Sequence, residues 1–89
     1  MKRIHVIFRG FVQGVGFRWT AISVARAFAV TGFVRNLPDG AVELVAEGKD
    51  DELARFLDGI SAEMESHIHD REITWTAPTG EFDRFGIAG

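Results

Sequence analysis

Arginine at position 18, set just behind a cluster of glycines, is the side chain in this sequence best placed to do chemistry. The run Arg9-Gly10-Phe11-Val12-Gln13-Gly14-Val15-Gly16-Phe17-Arg18 joins an apolar, strand-like stretch, Ile4 to Phe8, to a helical pattern that starts at Phe17. A strand–loop–helix junction of this kind can aim several backbone N–H groups at one spot. The first N–H groups of a helix have no intrahelical acceptor, and they carry the positive end of the helix dipole. The product is an anion cradle, and phosphate is its usual guest. A cation in the first helical turn is unfavourable by about 0.3–1 kcal/mol, because that end is already positive. An anion lying between Arg18 and the amides removes the conflict. The plainer readings are a tight β-to-α turn and a solvated arginine. The glycine spacing is neither a Walker loop, since no Gly-Lys-[Ser/Thr] follows, nor Gly-x-Gly-x-x-Gly, since Trp19 stands where the third glycine belongs.

Asn36 is the second candidate. It follows a strand and precedes a turn, a place where asparagine is common for its own hydrogen-bonding reasons. An amide there can also orient a water without adding charge. His67 and His69, two apart on an expected strand, could suggest a metal together with Asp70 or His5. The spacing fixes no ligand set, and exposed strand histidines are common. Asp50 and Asp51 read as a helix cap rather than a carboxylate pair. No Ser/His/Asp constellation is visible. The Phe and Trp residues fall mostly on core stripes and read as packing.

The elements that must hold these residues follow from periodicity. Arg3 to Phe11 alternates and predicts a half-buried strand. Phe17, Ala21, Val24 and Phe28 predict a helix over 17–29. Thr31 to Asn36 and Ala41 to Glu47 read as strands joined through Leu37-Pro38-Asp39-Gly40, a turn in which Pro presets φ and Asp-Gly accepts left-handed backbone. Asp50 is the expected N-cap of a second helix marked by Leu53, Phe56, Leu57, Ile60 and Met64. Strands are expected at 67–76 and 82–87. Gly59 weakens the helical pattern, and Arg71 shares a strand face with Ile73 and Trp75. The economical arrangement is α+β: a ferredoxin-like β-α-β-β-α-β sandwich, an antiparallel sheet with both helices on one face and a short tail strand.

Composition sets the bounds. The 89 residues make one domain, residues 1–89. A chain of this length buries roughly 60–65% of its unfolded surface. With 46% hydrophobic residues, eight Phe and two Trp, it can fill that core. The absence of cysteine excludes disulfides, zinc thiolates, Fe–S clusters and thiol catalysis. No apolar run reaches membrane-span length, and Met1-Lys2-Arg3 leads into strand residues rather than a signal core. The expectation is a cytoplasmic protein without a membrane partner. A net charge of −3 with no basic block disfavours nucleic acid. A small anion is not disfavoured, because it feels one arginine and a set of amides rather than the total charge.

Two stretches carry a family resemblance. Gly10-Phe11-Val12-Gln13-Gly14-Val15-Gly16-Phe17-Arg18 resembles the first acylphosphatase signature, Gly-x-Val-Gln-Gly-Val-x-Phe-Arg. Gly32-Phe33-Val34-Arg35-Asn36-Leu37-Pro38-Asp39-Gly40-Ala41-Val42-Glu43 resembles the second, Gly-x-Val-x-Asn-x-x-Asp-Gly-x-Val-Glu. Gly80-Glu81-Phe82 with Phe85 and Ile87 is similar to the family's last strand, so the resemblance spans residues 3–87. It implies the ferredoxin-like sandwich and hydrolysis of carboxyl phosphates to carboxylate and inorganic phosphate. Position by position, it implies that Arg18 binds the phosphoryl group and Asn36 positions the attacking water. Val12, Gln13, Gly14, Val15, Gly16 and Phe17 would form the backbone cradle. The sequence departs from the pattern at Arg71, where an apolar strand residue is usual, and at the glycine-rich ending Gly86-Ile87-Ala88-Gly89.

A carboxyl phosphate has a good leaving group, so positioning and charge stabilisation suffice. No metal or cofactor is required on this reading. The expected partners are a small acyl phosphate and inorganic phosphate, the latter as product and inhibitor, with the protein a monomer. The rival reading is a non-catalytic phosphate- or small-ligand-binding regulatory module on the same fold. Asn36 beside a full cradle favours the enzyme. A second rival, an RNA-binding sheet, needs aromatics on its central strands, and Ala41 to Glu47 has none.

Overall fold

Alternating apolar residues build the sheet, and two amphipathic helices close over one of its faces. A computed structural model describes all of residues 1–89. In chain order the elements are β1 (Lys2–Gly10), α1 (Phe17–Ala25), β2 (Thr31–Asn36), β3 (Val42–Gly48), α2 (Asp50–Glu63), a 3₁₀ turn (Glu65–His67), β4 (Ile68–Thr76) and β5 (Phe85–Ile87). The strands lie in the order β4-β1-β3-β2-β5. This is the ferredoxin-like α+β arrangement with an added edge strand.

Register places the apolar set on one face. Ile4, Val6 and Phe8 of β1 pair with Ala46, Leu44 and Val42 of β3, and Val34 of β2 pairs with Leu44. All are buried, and they form one cluster with Phe17, Ala21 and Ala25 of α1 and Leu53, Phe56, Leu57 and Ile60 of α2. Burial of each large side chain contributes about 1.5–3 kcal/mol. The Phe8 and Phe17 rings pack with centroids 4.8 Å apart. That contact clamps the two ends of the glycine loop, since Phe8 lies near the end of β1 and Phe17 opens α1.

The sheet is mixed rather than wholly antiparallel. β5 runs parallel to β2, with Gly32 opposite Phe85 and Val34 opposite Ile87. Residues 77–84 make this pairing possible by leaving the β4 edge of the sheet and running to the β2 edge. On the way the segment settles on Glu47, which is 3% exposed. Thr79 N–H and Oγ1 and Gly80 N–H donate to its carboxylate at 2.8–3.0 Å, and Arg3 Nη1 donates at 3.2 Å. The same Arg3 nitrogen donates to Glu81 at 2.9 Å.

Other expectations are corrected. α1 ends at Ala25 rather than Ala29, because Ala27 and Phe28 N–H bond to Val24 and Ala25 three residues back and tighten the chain into a turn. Phe28 still packs against Phe56, which explains its helical spacing. The N-cap of α2 is Lys49, in extended backbone, and Asp50 is the first helical residue with no cap bond. Asp50, Asp51 and Glu52 instead complement the helix dipole from the first turn. Gly59 sits where the helices meet, since a Cβ there would lie 2.9 Å from Val24 Cγ1. β5 is confined to Phe85–Ile87, shorter than the expected 82–87.

β4 forms the other edge. Arg71, Ile73 and Trp75 pair with Phe8, Val6 and Ile4 and so face the helical side, yet the helices do not cover them and Trp75 is 44% exposed. The apparent misfit of Arg71 is thereby explained: its guanidinium stays in water and donates to Ser61 Oγ of α2 at 2.6 Å.

Candidate active site

The loop between β1 and α1 follows from its glycines. Gly14 and Gly16 adopt φ of +76° and +79°, left-handed backbone that costs other L-residues about 1–2 kcal/mol. Gly16 is the N-cap of α1, and its carbonyl accepts the first helical bond, from Thr20 N–H at 2.9 Å. It has no side chain to cap the helix, and the first turn holds no acid. None of the backbone N–H groups from Val12 through Trp19 finds an acceptor within the protein. The loop therefore presents a row of free donors at the positive end of a helix.

On the other side, Asn36 ends β2, opposite Val42 of β3. The following turn closes with Leu37 N–H to Ala41 O at 2.8 Å and Gly40 N–H to Leu37 O at 3.2 Å. Asp39 Oδ1 accepts from Ala41 N–H at 3.0 Å, the local bond that suits Asp to this position. Loop and turn enclose a cleft of about 120 Å³ lined by Val12, Gly14, Gly16, Phe17, Arg18, Trp19 and Asn36. Arg18 is exposed and Asn36 half-buried. Neither side chain is engaged by an ion pair or hydrogen bond inside the protein, so both are free for a ligand.

The cleft thus brings together Arg18, Asn36, Val12, Gly14, Gly16 and Phe17. The side chains of Gln13 and Val15 lie elsewhere. Val15 points to solvent. Gln13 turns back, and its Nε2 donates to Leu37 O at 2.7 Å and Ala41 O at 2.9 Å. This glutamine couples the cradle to the turn behind Asn36. Sequence reasoning gave it a backbone role and missed the side chain. The signal was a lone amide side chain amid apolar and glycine residues.

Two further expectations change. His67 lies in the 3₁₀ turn and His69 in β4, so they do not share a strand face. His67 O accepts from Phe11 N–H at 2.9 Å, and the His69 ring meets Phe11 edge-on at 5.4 Å. No three His, Asp or Glu side chains converge as a metal-ligand set. The aromatics are not all packing: Phe11 is 71% and Trp19 69% exposed.

Behind the site, the open face of the sheet carries a charged network. Glu43, next to Val42, takes hydrogen bonds from His5 Nε2 at 2.7 Å and from Arg35 Nε. Burial pushes its carboxyl up, but those two bonds outweigh it and hold the group below the usual carboxylate range. Glu47 behaves alike: burial raises it, and the bonds from Thr79, Gly80 and Arg3 bring it down further.

The class is an α+β sandwich of ferredoxin-like type with a loop of unpaired backbone donors between its first strand and helix. The sequence profile of the family described as Acylphosphatase matches residues 4–87. An acylphosphatase of Methanospirillum hungatei is 48% identical over 73 residues, 82% of this chain and 80% of that protein. One from Syntrophus aciditrophicus is 45% identical over 91 aligned positions, 98% of this chain and 92% of that protein. The crystal structure of acylphosphatase from Bacillus subtilis superposes with a TM-score of 0.89 at 30% identity, covering 100% of both chains. The chain belongs to the acylphosphatase family, and it is a hydrolase of acyl phosphates.

Proposed function

We propose that the cleft between the glycine loop and Asn36 is where this hydrolysis takes place. The observation that carries the proposal is the convergence of the unpaired amides, Arg18 and Asn36 on one small cleft. The backbone N–H groups of residues 12–17 and the Arg18 guanidinium hold the phosphoryl oxygens. These donors are preorganised by the fold, so they stabilise charge in the transition state without reorganising. Asn36 holds a water in line behind phosphorus. The water oxygen bonds to phosphorus as the bond from phosphorus to the acyl oxygen breaks. The electron pair leaves with the carboxylate, and a phosphoryl oxygen takes the water's proton. No side-chain base is needed, because the carboxylate is a good leaving group.

The same donors bind inorganic phosphate, which makes it a competitive product inhibitor. One core cluster containing residues of both helices and the central strands supports treating residues 1–89 as one domain. We read the enzyme as a cytoplasmic monomer, the simplest state in which one chain supplies every residue named above.

The test compares benzoyl phosphate with p-nitrophenyl phosphate. The enzyme is expected to hydrolyse the first and leave the second nearly untouched, since a phosphate monoester needs help for its leaving group that this cleft does not offer. Equal rates on both would remove the mechanism.

A further inference from the structure

One wall of the cleft has no part in phosphoryl chemistry. Among the lining residues, Val12 and Phe17 are 1% and 2% exposed and belong to the core. Gly14 and Gly16 have no side chain, and Arg18 and Asn36 are occupied by the phosphoryl group and the water. Trp19 is left. Its indole is 69% exposed, packs against no other ring and makes no hydrogen bond through Nε1. An indole in water forgoes a large hydrophobic gain, and its face is a good stacking surface.

An acyl phosphate has two ends, and the polar groups of the cleft read one of them. In an in-line displacement the acyl oxygen departs from the side of phosphorus opposite the water. The acyl group therefore projects away from Asn36 and out of the cradle. Trp19, in the first turn of α1, is the lining side chain with apolar surface to offer it. Phe11 is also exposed, but it does not line the cleft and its ring is engaged with His69.

We propose that Trp19 forms the acyl-group subsite and makes the enzyme prefer aromatic or extended apolar acyl phosphates over acetyl or carbamoyl phosphate. The inference rests on the roles given above to Arg18, Asn36 and the cradle. Stacking on one ring corresponds to about a 2–12-fold effect on affinity.

The experiment measures kcat and KM for benzoyl and acetyl phosphate, with inhibition by inorganic phosphate, in wild type, Trp19→Ala and Trp19→Phe. Trp19→Ala is expected to lower the benzoyl-to-acetyl ratio of kcat/KM about 3–10-fold, chiefly through a higher KM for benzoyl phosphate. Trp19→Phe keeps a stacking face and should retain most of the ratio. The phosphate inhibition constant should hold within about twofold in both variants, because the cradle is untouched. An unchanged ratio in Trp19→Ala overturns the subsite. So does a parallel loss on both substrates with weaker phosphate inhibition, which would make Trp19 a support of the cradle. Failure of the underlying reading looks different: Arg18→Ala and Asn36→Ala would turn over both substrates as wild type does, and the subsite would fall with it.

Discussion

At the residue scale, the site rests on what Arg18 lacks. It stands in the first turn of a helix with no acid beside it and no ion-pair partner. On the proposed reading, a bound phosphoryl group supplies one. A hydrogen bond to a charged group contributes about 1.5–3 kcal/mol, so Arg18→Ala should weaken substrate and phosphate binding roughly 10–100-fold. It should also lower kcat, since the same contact persists in the transition state. Steady-state kinetics with benzoyl phosphate read both, and unchanged KM and kcat would take Arg18 out of the site. That Arg18 and Asn36 come together at one cleft was legible in the sequence, because the loop and the turn that hold them have fixed spacings. Trp19 was not, because a periodic pattern cannot tell an aromatic that reaches the core from one two residues away that faces the cleft. Phe17 and Trp19 are two apart, and one is 2% exposed while the other is 69% exposed.

At the element scale, the β1–α1 loop and the β2–β3 turn act as one body through Gln13. Each of its two bonds is worth about 0.5–1.5 kcal/mol net. Gln13→Leu should therefore cost about 1–3 kcal/mol, some 4–20 °C in Tm for a domain of this size. It should also lower kcat more than it weakens phosphate binding, because the turn carries Asn36 while the cradle amides remain. Thermal melts and inhibition constants separate the two effects, and a stable variant with full kcat would break the coupling. Gly16→Ala tests the loop itself. No atom lies within 4 Å of where its Cβ would be, so the effect isolates the left-handed backbone. The expected loss is about 1–2 kcal/mol of stability, or a relaxed loop with weaker phosphate inhibition. The strand–helix order and the hairpin were legible because their apolar periods are long and bounded by turn residues. The parallel pairing of β5 was not, because it depends on a crossover held by Glu47, and alternation along a strand gives no direction relative to its neighbour.

At the scale of the whole molecule, stability should depend on pH through the open face. Glu43 and Glu47 both have carboxyls held below their ordinary range in the folded state. Groups of this kind stabilise the fold fully above the unfolded carboxylate value of about 4.3. The contribution is lost as pH falls through the lower folded values. Tm should therefore be flat near neutrality and drop below about pH 4. Glu47→Gln, which leaves Arg3 and the crossover facing a neutral amide, should lower the neutral-pH Tm and flatten the acid drop. An equally steep drop in that variant would remove Glu47 from the acid response. Phosphate gives a second global readout, because the cradle exists only in the folded chain. At ten times its Kd it should add about 1.4 kcal/mol, a rise of roughly 5–10 °C in Tm, and most of that shift should vanish in Arg18→Ala. Equal shifts in the two proteins would place the anion elsewhere.

Turnover of benzoyl phosphate by Asn36→Ala tests the central claim most directly. If Asn36 positions the attacking water while the cradle and Arg18 hold the phosphoryl group, kcat should fall about 10²–10³-fold, as for other preorganised transition-state donors. The inhibition constant of inorganic phosphate should stay near that of wild type. An Asn36→Ala protein with normal kcat, or one that loses phosphate binding in step with its rate, would contradict the account.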